Sequence, residues 1–145
     1  MTIDKIQDEI IEEFSDIEDW MDRYSYIIEM GNNLEPFPEE EKTPANLIEG
    51  CQSRVWITAN RDEDGNLLFQ ADSDALIVKG IISLLIRVLS GHQPKEILDT
   101  DLYFIDKIGL SEHLSPTRSN GLVAMVKQMK LYATAFAALD AQKNN

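Results

Sequence analysis

Residues 55–71 read Val55-Trp56-Ile57-Thr58-Ala59-Asn60-Arg61-Asp62-Glu63-Asp64-Gly65-Asn66-Leu67-Leu68-Phe69-Gln70-Ala71. Two β-like runs, 55–59 and 67–71, flank a polar stretch whose Asp64-Gly65 pair tolerates positive φ and so favours a hairpin turn. This is the only strand signal in a chain of otherwise helical pattern, and it makes the fold α+β: a small antiparallel β-sheet flanked by helices.

Helical spacing surrounds the hairpin on both sides. Ile3, Ile6, Ile10, Phe14 and Ile17 recur with Asp and Glu between them, the pattern of an amphipathic first helix. Ser15-Asp16-Ile17-Glu18 has the form of a capping box, and Trp20, Tyr24, Ile27 and Ile28 then form the apolar stripe of a second helix ending near Gly31, with the aromatics assigned to the core. Residues 32–43, with Pro36, Pro38 and Glu39-Glu40-Glu41, read as a surface loop. After the hairpin, Ser73 or Asp74 is placed to cap a helix over residues 75–89, apolar nearly all round and therefore central. That segment is shorter than the roughly 20 residues a bilayer span needs and holds two cations. Pro94 suits the first turn of a short helix, and a brief apolar piece over 102–110 closes near Gly109. Residues 114–121 form a turn-rich approach to a last helix with Leu122, Met125, Val126, Met129, Tyr132, Ala133, Phe136 and Leu139 on one side. No internal repeat or linker is visible, so residues 1–145 read as one domain.

Charge excludes one class of partner. The chain carries 26 acidic and 13 basic residues, a formal net charge of −13, and 15 of those acids but only 3 of the bases lie in residues 1–49. Such a field repels phosphate backbones, so no nucleic-acid partner is expected. The start, Met1-Thr2-Ile3-Asp4-Lys5-Ile6, has neither a basic n-region nor an apolar h-region, which predicts a cytoplasmic protein without a membrane partner.

Cys51 is the one cysteine, so the chain forms no internal disulfide and holds no self-contained cysteine-rich metal site; neither a metal nor a cofactor is expected. It follows Gly50 on a turn just before the first strand, where glycine permits close approach of another macromolecule's backbone. A free cysteine in such a place is either a small buried apolar residue or a reactive thiol. A cysteine hydrolase needs a histidine base, and the two histidines, His92 and His113, both sit in polar connections that read as solvent-exposed. A thiolate that attacks another sulfur needs no such base, given an open geometry and a pKa near ambient pH. Arg54, three residues on, is placed either to lower that pKa or to face outward from the strand.

Three spaced motifs then bear on the choice: Asn46-x-Ile48-x-Gly50-Cys51-Gln52-Ser53-x-Val55-Trp56, Asp72-Ser73-Asp74-Ala75-x-Ile77-Val78-Lys79-Gly80, and Leu114-Ser115-Pro116-Thr117-Arg118-Ser119-x-Gly121-Leu122-x-Ala124-Met125. Together with Tyr26-Ile27-Ile28-Glu29-Met30-Gly31, they resemble the SufE family, the SufE- and CsdE-like sulfur acceptors of cysteine desulfurases. The resemblance implies the α+β fold shared with IscU-type scaffold proteins. It also implies that Cys51 takes a persulfide sulfur from a pyridoxal-phosphate-dependent, SufS- or CsdA-like cysteine desulfurase, stimulates that enzyme, and passes sulfur to a SufBCD-like iron–sulfur scaffold. The protein then acts as a carrier and activator rather than a stand-alone enzyme and holds no cofactor of its own. Gly50, Gln52 and Ser53 are implied to shape the thiol loop, and Asp74 and Arg118 to support it or meet the partner. For Asp74 a helix N-cap is the alternative role, and a cation such as Arg118 at a helix N-terminus is not favoured by the helix dipole. The chain departs from the family pattern at Arg54, where Gln is common, and at Ala71, where Gly is common. The thiol is expected to be partly sheltered until a partner docks. Self-association into a homodimer stays open, as does a rival reading in which the domain regulates a desulfurase while Cys51 only packs.

Overall fold

The hairpin forms over a longer span than the apolar runs alone define. Strand β1 covers Val55–Arg61 and β2 covers Leu67–Ser73, antiparallel, with Val55 opposite Ser73 and Arg61 opposite Leu67. Gly65 turns the chain at φ +83°, and the Asp62 carboxylate accepts the Asp64 and Asn66 backbone N–H groups to hold the turn. In this computed structural model, which describes residues 1–143 with the Thr117 side chain excepted, these are the two strands of an α+β fold; Asn144 and Asn145, at the end of the expected 1–145 domain, lie outside the described residues.

Seven helices surround the sheet among the described residues: α1 (Ile3–Ser15), α2 (Trp20–Asn32), α3 (Leu76–Leu89), α4 (Pro94–Asp99), α5 (Phe104–Lys107), α6 (Leu110–His113) and α7 (Pro116–Lys143). As its composition predicts, α3 is central: Ile81, Ile82, Leu84, Leu85, Val88 and Leu89 are all 1 % exposed or less. Around it pack Ile10 and Phe14 of α1, Ile27 of α2, the inward residues Val55, Ile57, Leu67, Phe69 and Ala71 of the hairpin, and Met125, Met129 and Ala133 of α7. Helix α2 crosses α3 through two glycines. A Cβ on Gly31 would lie 2.7 Å from the Gly80 backbone nitrogen, and one on Gly80 would lie 2.2 Å from the Ile27 carbonyl oxygen. No other residue permits that backbone approach.

Local signals misplace several boundaries. The Ser15–Glu18 capping box is not used: Ser15 ends α1 with its hydroxyl donating to the Glu12 carbonyl at 2.6 Å, and Asp19 caps α2 instead, accepting from the Met21 N–H. Trp20 and Tyr24 are half-buried rather than core; Trp20 stacks on His113 with ring centroids 3.7 Å apart. Neither Ser73 nor Asp74 is the N-cap of α3, a place taken by Ala75 without a side-chain hydrogen bond. Within the loop at 32–43, Phe37 is buried. The 114–121 segment is mostly helix, since α7 begins at Pro116, with the Ser115 hydroxyl accepting from the Arg118 N–H. Leu139, assigned to the inner side of α7, is 49 % exposed. By length and composition α7 is apolar enough to cross a membrane, but it forms one wall of the core through Leu122, Met125, Met129 and Ala133.

Candidate functional site

Cys51 projects from a loop that is closed at its base. The Ile48 N–H donates to the Val55 carbonyl at 2.8 Å, and Leu47 bridges to Trp56, so residues 48–55 leave and rejoin the hairpin at one point. At the tip, Gly50 takes φ +92°, a left-handed conformation that a side chain strains. The Asp74 carboxylate accepts the Arg54 N–H at 3.0 Å and pairs with the Arg54 guanidinium at 3.4 Å, while the Asp74 N–H donates to the Arg54 carbonyl at 3.3 Å. Asp74 therefore pins the downstream arm of the loop and is not a helix cap.

The thiol is half-buried and opens on a cavity of about 350 Å³. Val78 and Ile81 of α3 and Gly121 and Met125 of α7 line its apolar side; Gln52, Ser53, Ser115 and Arg118 line its polar side. The Cys51 Sγ lies 3.7 Å from the Gly121 carbonyl oxygen, to which the thiol donates, and a Cβ on Gly121 would stand 3.5 Å from the sulfur. Of the residues singled out in the sequence, Cys51, Gln52, Ser53 and Arg118 thus meet at one cavity. Gly50 turns the loop beside the thiol without lining the cavity, and Asp74 also acts from outside it. Val78, Ser115, Gly121 and Met125 belong to the quoted motifs, but their spacing assigns them no part in a site; Ile81 lies outside the motifs and carries no such signal.

Burial pushes the Cys51 thiol above its ordinary pKa of 9.0, because the desolvated thiolate is disfavoured. Of the two readings of Arg54, the outward-facing one holds: its guanidinium is exposed and turned to Asp74. Neither histidine serves as a base. His113 is exposed, as expected, with Nδ1–H donating to the Gly109 carbonyl at 2.9 Å. His92 is buried rather than exposed, its Nε2–H donating to the Met1 carbonyl at 3.1 Å, since a carbonyl can only accept. Among the described residues there is no group of three or more side chains able to hold a metal ion.

A further carboxylate, absent from the sequence-derived site, ties the surroundings together. Asp72 on β2 lies 3.2 Å from Lys42 Nζ and 3.3 Å from Lys79 Nζ, joining the preceding loop, the sheet and α3. Burial would raise its pKa, but the Ser73 N–H and the two lysines outweigh that and hold it below the usual carboxylate range. Its place in the second motif was the available signal; its two lysine partners were not predictable from spacing.

Comparison with known proteins agrees with the three motifs. Residues 8–133 match a family model described as SufE, an Fe–S metabolism associated domain. An uncharacterized SufE-like protein of Rhizobium meliloti (strain 1021) is 42 % identical over 127 residues, covering 85 % of this chain and 91 % of that protein. The solution structure of a hypothetical protein from Thermus thermophilus superposes with a TM-score of 0.74 at 21 % identity, over 92 % of this chain and 96 % of the other, a similarity of fold.

Proposed function

The chain belongs to the SufE family, associated with iron–sulfur metabolism, and from that premise we propose that Cys51 is the acceptor and carrier of sulfur delivered by a cysteine desulfurase. The observation that carries the reading is the placement of the single thiol at the tip of a loop closed at its base, beside a cavity with room for a second sulfur. In the transfer, the Cys51 thiolate attacks the terminal sulfur of a persulfide on the donor's cysteine. One S–S bond forms as another breaks, the donor cysteine departs as a thiolate, and the proton of the Cys51 thiol goes to solvent or to that thiolate. No net oxidation occurs, so no further reagent is needed.

Each neighbour has a part in this scheme. Val78, Ile81 and Met125 shield the persulfide from water-borne oxidants and reductants. Gln52 and Ser53 shape the polar lip, and Arg118, paired with no carboxylate among the described residues, attracts an incoming sulfur anion or the donor's surface. Asp74 holds the loop in place through Arg54. Clearing the donor's persulfide stimulates the desulfurase, which is SufS- or CsdA-like, and the sulfur passes on to a SufBCD-like scaffold in the cytoplasm.

The test is intact-mass spectrometry after incubation with a cysteine desulfurase, pyridoxal phosphate and L-cysteine. A reductant-sensitive gain of one sulfur, about 32 Da, is expected on the wild type and absent from Cys51→Ser. Stimulation of the desulfurase by Cys51→Ser equal to that by the wild type would instead assign the protein a regulatory role with Cys51 as a packing residue.

A further inference from the structure

Three exposed large apolar side chains gather outside the Cys51 cavity. Leu47, Val123 and Leu131, at 39, 67 and 50 % exposure, line a groove of about 520 Å³ between the 44–49 segment and the outer side of α7. Single exposed leucines are ordinary on protein surfaces, whereas several around one concavity mark a contact site. The groove is continuous with the thiol loop. Glu49 and Ala124 both line it, and the Ala124 methyl lies 3.4 Å from where a Gly50 side chain would begin. The groove thus borders the loop that carries Cys51, within reach of a macromolecule docked at the thiol.

Charge identifies the kind of surface that fits. The chain as a whole is at −13, yet from Pro116 to Leu139 α7 carries Arg118, Lys127 and Lys130 and not one carboxylate. Lys130 is committed to the Thr100 carbonyl at 2.8 Å, while Lys127 and Arg118 are exposed, one lining the groove and the other the cavity. On the opposite lip Glu49 is the one acidic residue lining the groove, and Asn120 and Gln128 offer amides to a bound backbone.

We propose that this groove seats the segment of the sulfur donor that flanks its persulfide cysteine: an apolar side chain lodges among Leu47, Val123 and Leu131, and neighbouring carboxylates meet Lys127 and Arg118. The inference rests on the reading of Cys51 as a sulfur acceptor. Apolar burial at such a site governs dissociation, and the cations govern encounter.

Val123→Glu, Leu131→Glu and Lys127→Glu change exposed positions of the full chain, and thermal melts verify that each still folds. Their Kd for a cysteine desulfurase is measured by calorimetry, with iodoacetamide alkylation of Cys51 as a reaction that needs no docking. The expected result is a Kd raised tenfold or more by Val123→Glu and Leu131→Glu with alkylation unchanged, and a loss for Lys127→Glu that is larger at low salt than at high. Wild-type Kd values in all three, with the wild type binding and accepting sulfur, overturn the groove assignment and leave the acceptor reading standing. A wild type that neither binds the desulfurase nor takes sulfur from it overturns both. Variants that alter self-association without altering desulfurase binding assign the groove to a second copy of this chain and also overturn the proposal.

Discussion

At the scale of a residue, the environment of Cys51 restrains its reactivity in the free protein. Nucleophilic sulfur is the thiolate, and burial keeps the thiol protonated beyond the ordinary 9.0. Alkylation by iodoacetamide is therefore expected to be slow near pH 7 and to keep rising past pH 9, with the profile unmoved in Arg54→Ala; a plateau below pH 9 would show a cation acting on the sulfur. The linkage has a matching sign. A thiol whose folded pKa is raised contributes stability below its unfolded pKa and loses it as pH rises through the folded value, so Cys51→Ser should flatten the alkaline side of the stability profile. Sequence singled out Cys51 because it is the one thiol and the motif around it is specific, and the structure places it at a cavity with Gln52, Ser53 and Arg118. Sequence left Arg54 open between acting on the thiol and facing outward, since proximity along a chain does not fix where a guanidinium turns; Asp74, at the far end of the hairpin in sequence but beside Arg54 in space, draws it outward.

At the scale of an element, the pairing of α2 with α3 depends on Gly31 and Gly80. In an isolated helix, alanine is favoured over glycine by about 1 kcal/mol. Here the added methyl of Gly80→Ala would stand 2.2 Å from a backbone oxygen that cannot swing aside. That substitution is expected to destabilise the protein by about 2–3 kcal/mol in chemical denaturation; a variant as stable as the wild type would mean that the helices separate freely. The hairpin was legible because Asp64-Gly65 and its flanking apolar runs act locally, and so was α3, whose residues are apolar on every side. The start of α7 was not. Pro-Thr-Arg-Ser-Asn-Gly is turn-like in composition, yet the helix runs through it: Ser115 caps it, and the thiol loop packs against it where Cys51 donates to the Gly121 carbonyl. Such contacts between distant segments are invisible to a window of neighbouring residues. The same applies to His92, held inside by the Met1 carbonyl and by the Leu67 N–H, which donates to the His92 carbonyl at 2.9 Å.

At the scale of the whole molecule, three carboxylates connect elements far apart in the chain. The Arg87 guanidinium hydrogen-bonds Glu13 and lowers its pKa, joining α1 to α3; Arg61 does the same for Asp140 at 2.6 and 2.7 Å, joining β1 to α7; and Asp72 is held low by Ser73, Lys42 and Lys79 against its burial. A carboxylate with a depressed folded pKa contributes stability above its unfolded value, and that contribution is lost as pH falls through the folded one. Denaturant midpoints measured from pH 7 to pH 3 should thus decline below about pH 4, and the decline should be smaller in Asp140→Asn; a flat series would mean that these pairs contribute nothing. The closed base of the thiol loop has another consequence. Because Ile48 and Val55 already hold each other and Asp74 secures Arg54, the five residues 49–53 form a detachable tip: sequence changes confined to them are expected to leave the melting temperature of the helices and hairpin behind them nearly as it is, so that the reactive end and the framework can vary independently.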